Sequence, residues 1–125
     1  MTTDMPNVLT VDDDSRLLRG LSRGLEESDY YVLTAISVAE AGVHLERERI
    51  DVVVSVQRMP GVTGLTFLSA IKEQYPWIRR VILSGTVEAY SGWDLSRHAH
   101  GILEKPCSVE RLQQEIETVL QAELR

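Results

Sequence analysis

The stretch "DVVVSVQRMPGVTG", residues 51–64, decides how the rest of the chain is read. Its first part, "DVVVS" (51–55), carries a continuous apolar run, three successive valines with no polar residue alternating between them. Such a run suits a strand covered on both faces, as in a parallel sheet. It leads into "QRMPG", a turn of the kind found beside reactive sites, and the side chain at that strand end is Val56. Valine can neither accept a proton, ligate a metal nor take a phosphoryl group.

Outward from this strand, short apolar runs alternate with amphipathic segments. "VLTV" (8–11) is a first strand, followed by Leu17, Leu18, Leu21 and Leu25 at helical spacing. "YVLTA" (31–35) is a second strand. "SVAE" then offers a capping box from Ser37 to Glu40, with Val38, Ala41 and Leu45 as the buried stripe and His44 expected on the exposed side. A third helix is expected from about Gly64, with Leu65, Leu68, Ile71 and Tyr75 on one side and Pro76 as its stop. "RVILS" (80–84) is a fourth strand, and residues 85–100 form the weakest helix, interrupted by Gly92. "GILE" (101–104) is a short fifth strand. The last helix is capped by Ser108 and carries Val109, Leu112, Ile116, Val119 and Leu120.

Five strand–helix units predict a doubly wound α/β fold with right-handed crossovers and one domain over residues 1–125. In such folds chemistry collects beyond the carboxyl ends of the strands. The residues there are Asp12, Asp13 and Asp14, then Val56, Ser84 and Lys105.

Composition narrows the function. No run of about 18 apolar residues exists, so no membrane span is expected. The net charge of −6, without a basic patch, argues against direct nucleic-acid binding. The single cysteine, Cys107, cannot form an intramolecular disulfide and fits a reducing, cytoplasmic setting. His98 and His100 lack a third ligand for zinc and are expected at the surface. Trp77 and Trp93 suit either packing or partner contact.

Four motifs, "VLTVDDDS", "QRMPGVTG", "ILSG" and "LEKP", occur in this order at successive strand ends. Together they make the chain resemble the receiver domain of two-component response regulators over essentially its whole length. The resemblance implies a flavodoxin-like (βα)5 fold with strand order 2-1-3-4-5. It also implies an aspartate nucleophile on the third strand that takes a phosphoryl group from a sensor histidine kinase, with a Mg²⁺ held by an acidic pair. Carried over by position, Asp12 and Asp13 are the acidic pair, and the Arg58 backbone carbonyl is the further metal ligand. Ser84 is the switch hydroxyl. Lys105 pairs with the phosphoryl oxygens, and its bond to Pro106 is expected to be cis.

Two positions depart from the family's pattern. Val56 falls on the acceptor, so an acyl phosphate cannot form there. Ile102 stands where the family often has Tyr or Phe. Ser55 is a poor substitute because strand alternation turns it to the opposite face. Asp51 lies ~17 Å away at the other end of the strand. With one carboxylate fewer, Mg²⁺ binding is expected to weaken, and Lys105 is free to pair with Asp12 or Asp13.

The expected function is therefore a two-component phosphorelay receiver that cannot accept a phosphoryl group and acts through protein contacts. The alternative is a phosphorylatable receiver in which Val56 is an introduced, inactivating substitution. An enzyme on this fold is not supported, since no base is paired with a nucleophile. The segment from Trp93 to Ile102 maps to a face that receivers use for partners, and a homodimer through the last strand–helix face is a further expectation.

Overall fold

The computed structural model describes residues 5–85 and 96–121. Strand β1 (Asn7–Val11) leads to α1 (Ser15–Glu26), β2 (Tyr31–Ala35) leads to α2 (Val38–Arg47), and β3 (Val52–Val56) follows. Two two-residue strands, β4 (Arg58–Met59) and β5 (Val62–Thr63), precede α3 (Gly64–Gln74). Then come β6 (Arg79–Ser84), β7 (Gly101–Glu104) and a last helix, α4 (Val109–Gln121). The weak helix expected between 85 and 100, and Trp93 with it, falls largely outside the described residues; 96–98 are helical.

The local chemistry explains these boundaries. The Asp14 carboxylate caps α1 by accepting from the amides of Arg16 and Leu17 at 3.1 and 3.3 Å. Ser37 caps α2, its Oγ accepting from the Glu40 amide at 3.1 Å, while the Glu40 carboxylate reaches back one residue past the cap and accepts from the Ile36 amide at 3.1 Å. Thr63 caps α3 through the Thr66 amide, and Ser108 caps α4 through the Arg111 amide.

The sheet order is β2-β1-β3-β6-β7, and all four pairings are parallel. With the separate β4–β5 hairpin set aside, this is the flavodoxin-like 2-1-3-4-5 order. All five residues of β3 are buried, as its unbroken apolar run requires. Its side chains alternate between two cores. Val53 joins Leu9 and Ile82 against α2 and α3, through Leu45, Leu68 and Ile71. Val52, Val54 and Val56 join Leu83 and Leu103 against α1 and α4, through Leu25, Leu112 and Ile116. Burial of a Leu or Ile side chain contributes about 2 kcal/mol, so these stripes fix which helix covers which face.

His44 departs from expectation. It is half-buried, with Nε2 2.9 Å from the Thr34 carbonyl oxygen, because the imidazole leans back over the end of β2 rather than into solvent. Trp77 is 45% exposed and meets Tyr75 edge-on, with ring centroids 5.6 Å apart.

Candidate functional site

Strands β1, β3, β6 and β7 lie side by side and parallel, so their carboxyl ends form one continuous rim. Three backbone hydrogen bonds hold that rim one residue beyond the strands. The Asp12 amide donates to the Ala35 carbonyl at 3.1 Å, Gln57 to Leu83 at 2.9 Å, and Lys105 to Ser84 at 2.9 Å. The positions expected to matter are thus set by main-chain pairing before any side-chain contact.

Asp12 and Asp13 have opposite environments. Asp12 is 3% exposed, whereas Asp13 faces solvent. Asp12 Oδ1 accepts from the Asp14 amide at 2.9 Å. Its other oxygen, Oδ2, accepts no hydrogen bond and lies 3.7 Å from Lys105 Nζ. Burial pushes the Asp12 carboxyl above the usual carboxylate range. The Asp14 amide and the Lys105 ammonium pull it down, while the charges of Asp13 and Asp14 push it up, and the upward effects prevail.

Lys105 separates two cavities. On one side, a cavity of about 350 Å³ is lined by Val56, Arg58, Ser84 and Lys105. On the other, a cavity of about 310 Å³ is lined by Asp12, by Leu17 and Leu21 of α1, and by Pro106 and Cys107. Leu83 and Lys105 contribute to both. Val56 and Ser84 are both buried, and the Lys105–Pro106 bond is cis. Burial also raises the Cys107 thiol pKa, against the pull of Arg111 and Lys105.

The remaining candidates are dispersed. Ser55 is buried, and its hydroxyl donates to the Val56 carbonyl at 2.9 Å. Asp51 is at the far end of β3, where Oδ2 accepts from the Asn7 amide at 2.8 Å. Ile102 pairs in register with Ile82 and packs, half-buried, against the core under α2 and α3. His98 and His100 are half-buried rather than at the surface, because both bracket the buried Arg80. The Arg80 side chain donates through Nε to the His98 carbonyl at 2.7 Å, and its amide donates to His100 Nδ1 at 3.1 Å. Among the described residues no group of three or more His, Cys, Asp or Glu is arranged to hold a metal ion.

Gln57 is a site residue that sequence reasoning missed. It is 2% exposed, and its Oε1 accepts from the Leu65 amide at 2.8 Å while its carbonyl accepts from the Gly64 amide at 2.8 Å. These bonds fasten the start of α3 to the end of β3. The available signal was a lone amide directly after an unbroken apolar run. Gly64 is equally constrained: a Cβ there would overlap the Val56 carbonyl oxygen. The β4–β5 turn carries Pro60 and then Gly61 at φ 81°, the pattern of a type II turn.

Compared with known proteins, the chain matches the response regulator receiver domain model over residues 8–117. The chain belongs to that family. It is 39% identical over 89 residues to the hydrogenase transcriptional regulatory protein HoxA of Cupriavidus necator, covering 71% of this chain and 18% of HoxA. It is 33% identical over 125 residues to the alginate biosynthesis transcriptional regulatory protein AlgB of Pseudomonas syringae pv. tomato, covering 99% of this chain and 28% of AlgB. The chain therefore spans between about a fifth and just over a quarter of the length of these relatives. Among solved structures, it resembles the chemotaxis response regulator CheY4 of Vibrio cholerae, with a TM-score of 0.82 at 30% identity over 92% of this chain and 98% of that one. A receiver domain from Clostridium thermocellum gives a TM-score of 0.83 at 29% identity over 92% and 94%.

Receiver domains are signalling modules that work with histidine kinases and other signalling partners rather than classical enzymes. No helix among the described residues of this receiver is long and apolar enough to cross a membrane.

Proposed function

We propose that this receiver has lost phosphoacceptor chemistry and acts in its two-component pathway as a protein-interaction module. In this reading Val56 stands at the acceptor position, Lys105 at the phosphate-pairing lysine, Ser84 at the switch hydroxyl and Ile102 at the switch aromatic. The observation that carries the reading is the makeup of the cavity that Val56 shares with Ser84 and Lys105: a hydrocarbon stands beside an ammonium and a hydroxyl. Phosphoryl transfer to a receiver needs a carboxylate nucleophile there, and valine has no atom to form the bond.

Asp12, Asp13 and the Arg58 carbonyl are the metal ligands of the same reading. The hydrogen-bond-free Asp12 Oδ2 suits a hard cation. The donor set is nonetheless thin, with one carboxylate exposed and the other facing Lys105. Such a set holds Mg²⁺ weakly, and bound Mg²⁺ would supply charge neutralisation only. The chain's own partial compensation is the Asp12–Lys105 pair, which offsets part of the cost of burying the carboxylate. A cytoplasmic location, a sensor kinase or other signalling protein as partner, and a homodimer through the outer face of the last helix complete the proposal.

Incubation with a small-molecule phosphodonor and Mg²⁺, followed by intact mass measurement, tests it. The expected result is an unchanged mass. An added phosphate that survives neutral pH and leaves with hydroxylamine overturns the proposal.

A further inference from the structure

We propose that the 310 Å³ cavity between α1 and the Pro106–Cys107 segment is a binding site for a small organic amine, an apolar body carrying one ammonium group. The inference goes beyond the reading of Val56 and does not depend on it.

The cavity has the two features of a small-molecule site: apolar walls and a few convergent polar groups at one end. Its walls are Leu17 and Leu21 on one side, Pro106 and Cys107 on the other, with Leu83 between them. Its volume, about 310 Å³, corresponds to roughly ten waters at liquid density and would hold a molecule of about ten heavy atoms. The polar end is Asp12, which is 3% exposed and whose Oδ2 takes no hydrogen bond. A buried acceptor without a donor is costly, and a ligand N–H that reaches it relieves that cost.

Charge selects the head group. Lys105, at 3.7 Å, is too far to hydrogen-bond Oδ2, and its side chain is 32% exposed, so it can withdraw into solvent. Asp13 and Asp14, both exposed and outside the cavity wall, add negative charge beside Asp12. At the Asp12 end a cation is therefore preferred over a neutral donor or an anion. Leu17, 48% exposed although apolar, is the lip that such a ligand would cover.

The test is a titration of the leucine-methyl-labelled chain with 2-phenylethylammonium and with phenylacetate, read by methyl shifts. The expected result is saturable movement of the Leu17, Leu21 and Leu83 methyls by the amine, with a Kd of about 1 mM for its nine heavy atoms, and none by the acid. Asp12→Asn weakens the amine about tenfold, and Lys105→Met, which removes the competing ammonium, tightens it about threefold. Mg²⁺ competes with the amine, since both use Asp12 Oδ2. No saturation below about 10 mM, equal shifts by amine and acid, or an unchanged Kd in both variants overturns the site. Equal shifts would leave a merely apolar groove, the kind a partner's side chain fills.

Discussion

The inner carboxylate oxygen of Asp12 faces the Lys105 ammonium across 3.7 Å and has no hydrogen-bond donor of its own. This pair connects the ends of β1 and β7, which are separated in the sheet by β3 and β6. It therefore lies over the carboxyl end of β3, where Val56 is buried. At that distance the pair supplies Coulombic attraction without a charge-assisted hydrogen bond, and attraction alone does not offset the burial of Asp12.

Replacing that carboxylate by an amide should stabilise the fold at neutral pH. Burial holds the Asp12 pKa above its ordinary value of 3.8, so the folded state favours the protonated form more than the unfolded state does. The stability gained from proton binding is complete below pH 3.8 and is lost as pH rises through the raised folded value. Asp12→Asn removes this loss. Thermal midpoints of both forms should converge in acid and diverge above it, with the asparagine form higher at pH 7. A lower midpoint for the asparagine form at pH 7 would mean that the Lys105 pair outweighs burial.

Gln57 is predicted to hold the segment between β3 and α3 in place. Gln57→Ala leaves the Leu65 amide without its acceptor and opens space in a 2% exposed position. A loss of about 1–3 kcal/mol in urea unfolding is expected. Amide exchange should accelerate first at Gly64 and Leu65. Uniform acceleration across α3 and the sheet would contradict a local fastening role.

How much of this was legible beforehand follows from which interactions are periodic. The strands and the caps at Ser37 and Ser108 were legible from local pattern and side-chain chemistry, and the strand order from the resemblance to receiver domains. The strand-end residues were legible too, because parallel pairing carries Asp12, Val56, Ser84 and Lys105 to one rim. The unequal burial of Asp12 and Asp13 was not, because two adjacent carboxylates look alike until the chain turns at Asp14. Gln57, His44, His98 and His100 were misread or missed for a common reason. The side chains of Gln57, His44 and His100 each bond a backbone group, and the His98 carbonyl accepts from the Arg80 side chain; hydropathy encodes neither kind of partner.

Gly64 should tolerate no side chain. A Cβ would overlap the Val56 carbonyl oxygen, which is backbone and cannot rotate away. Gly64→Ala is expected to cost about 1–3 kcal/mol, the range for overpacking that forces a backbone shift. Gly42, whose Cβ would meet nothing within 4 Å on α2, is the control: Gly42→Ala should leave stability unchanged or raise it by up to about 1 kcal/mol. Equal effects at both positions, measured by urea unfolding, would refute the steric account.

The decisive substitution is Val56→Asp. Val56 is 3% exposed and packs with Val54, Leu83 and Leu103, so an aspartate there gives up apolar burial and adds a carboxylate near the buried Asp12. Without Mg²⁺ the new charge has Lys105 as its nearby cation, and Lys105 already faces Asp12. A loss of about 2 kcal/mol relative to the valine form is therefore expected in chelator-treated samples. Addition of Mg²⁺ should recover much of that loss in the aspartate form and change the valine form little, because a third carboxylate completes the oxygen set that a hard cation needs. The aspartate form should then gain a hydroxylamine-sensitive phosphate from a small phosphodonor, while the valine form should not. A Val56→Asp chain that is more stable than its parent without Mg²⁺, or that takes no phosphate with Mg²⁺ present, would remove Val56 from the role proposed for it.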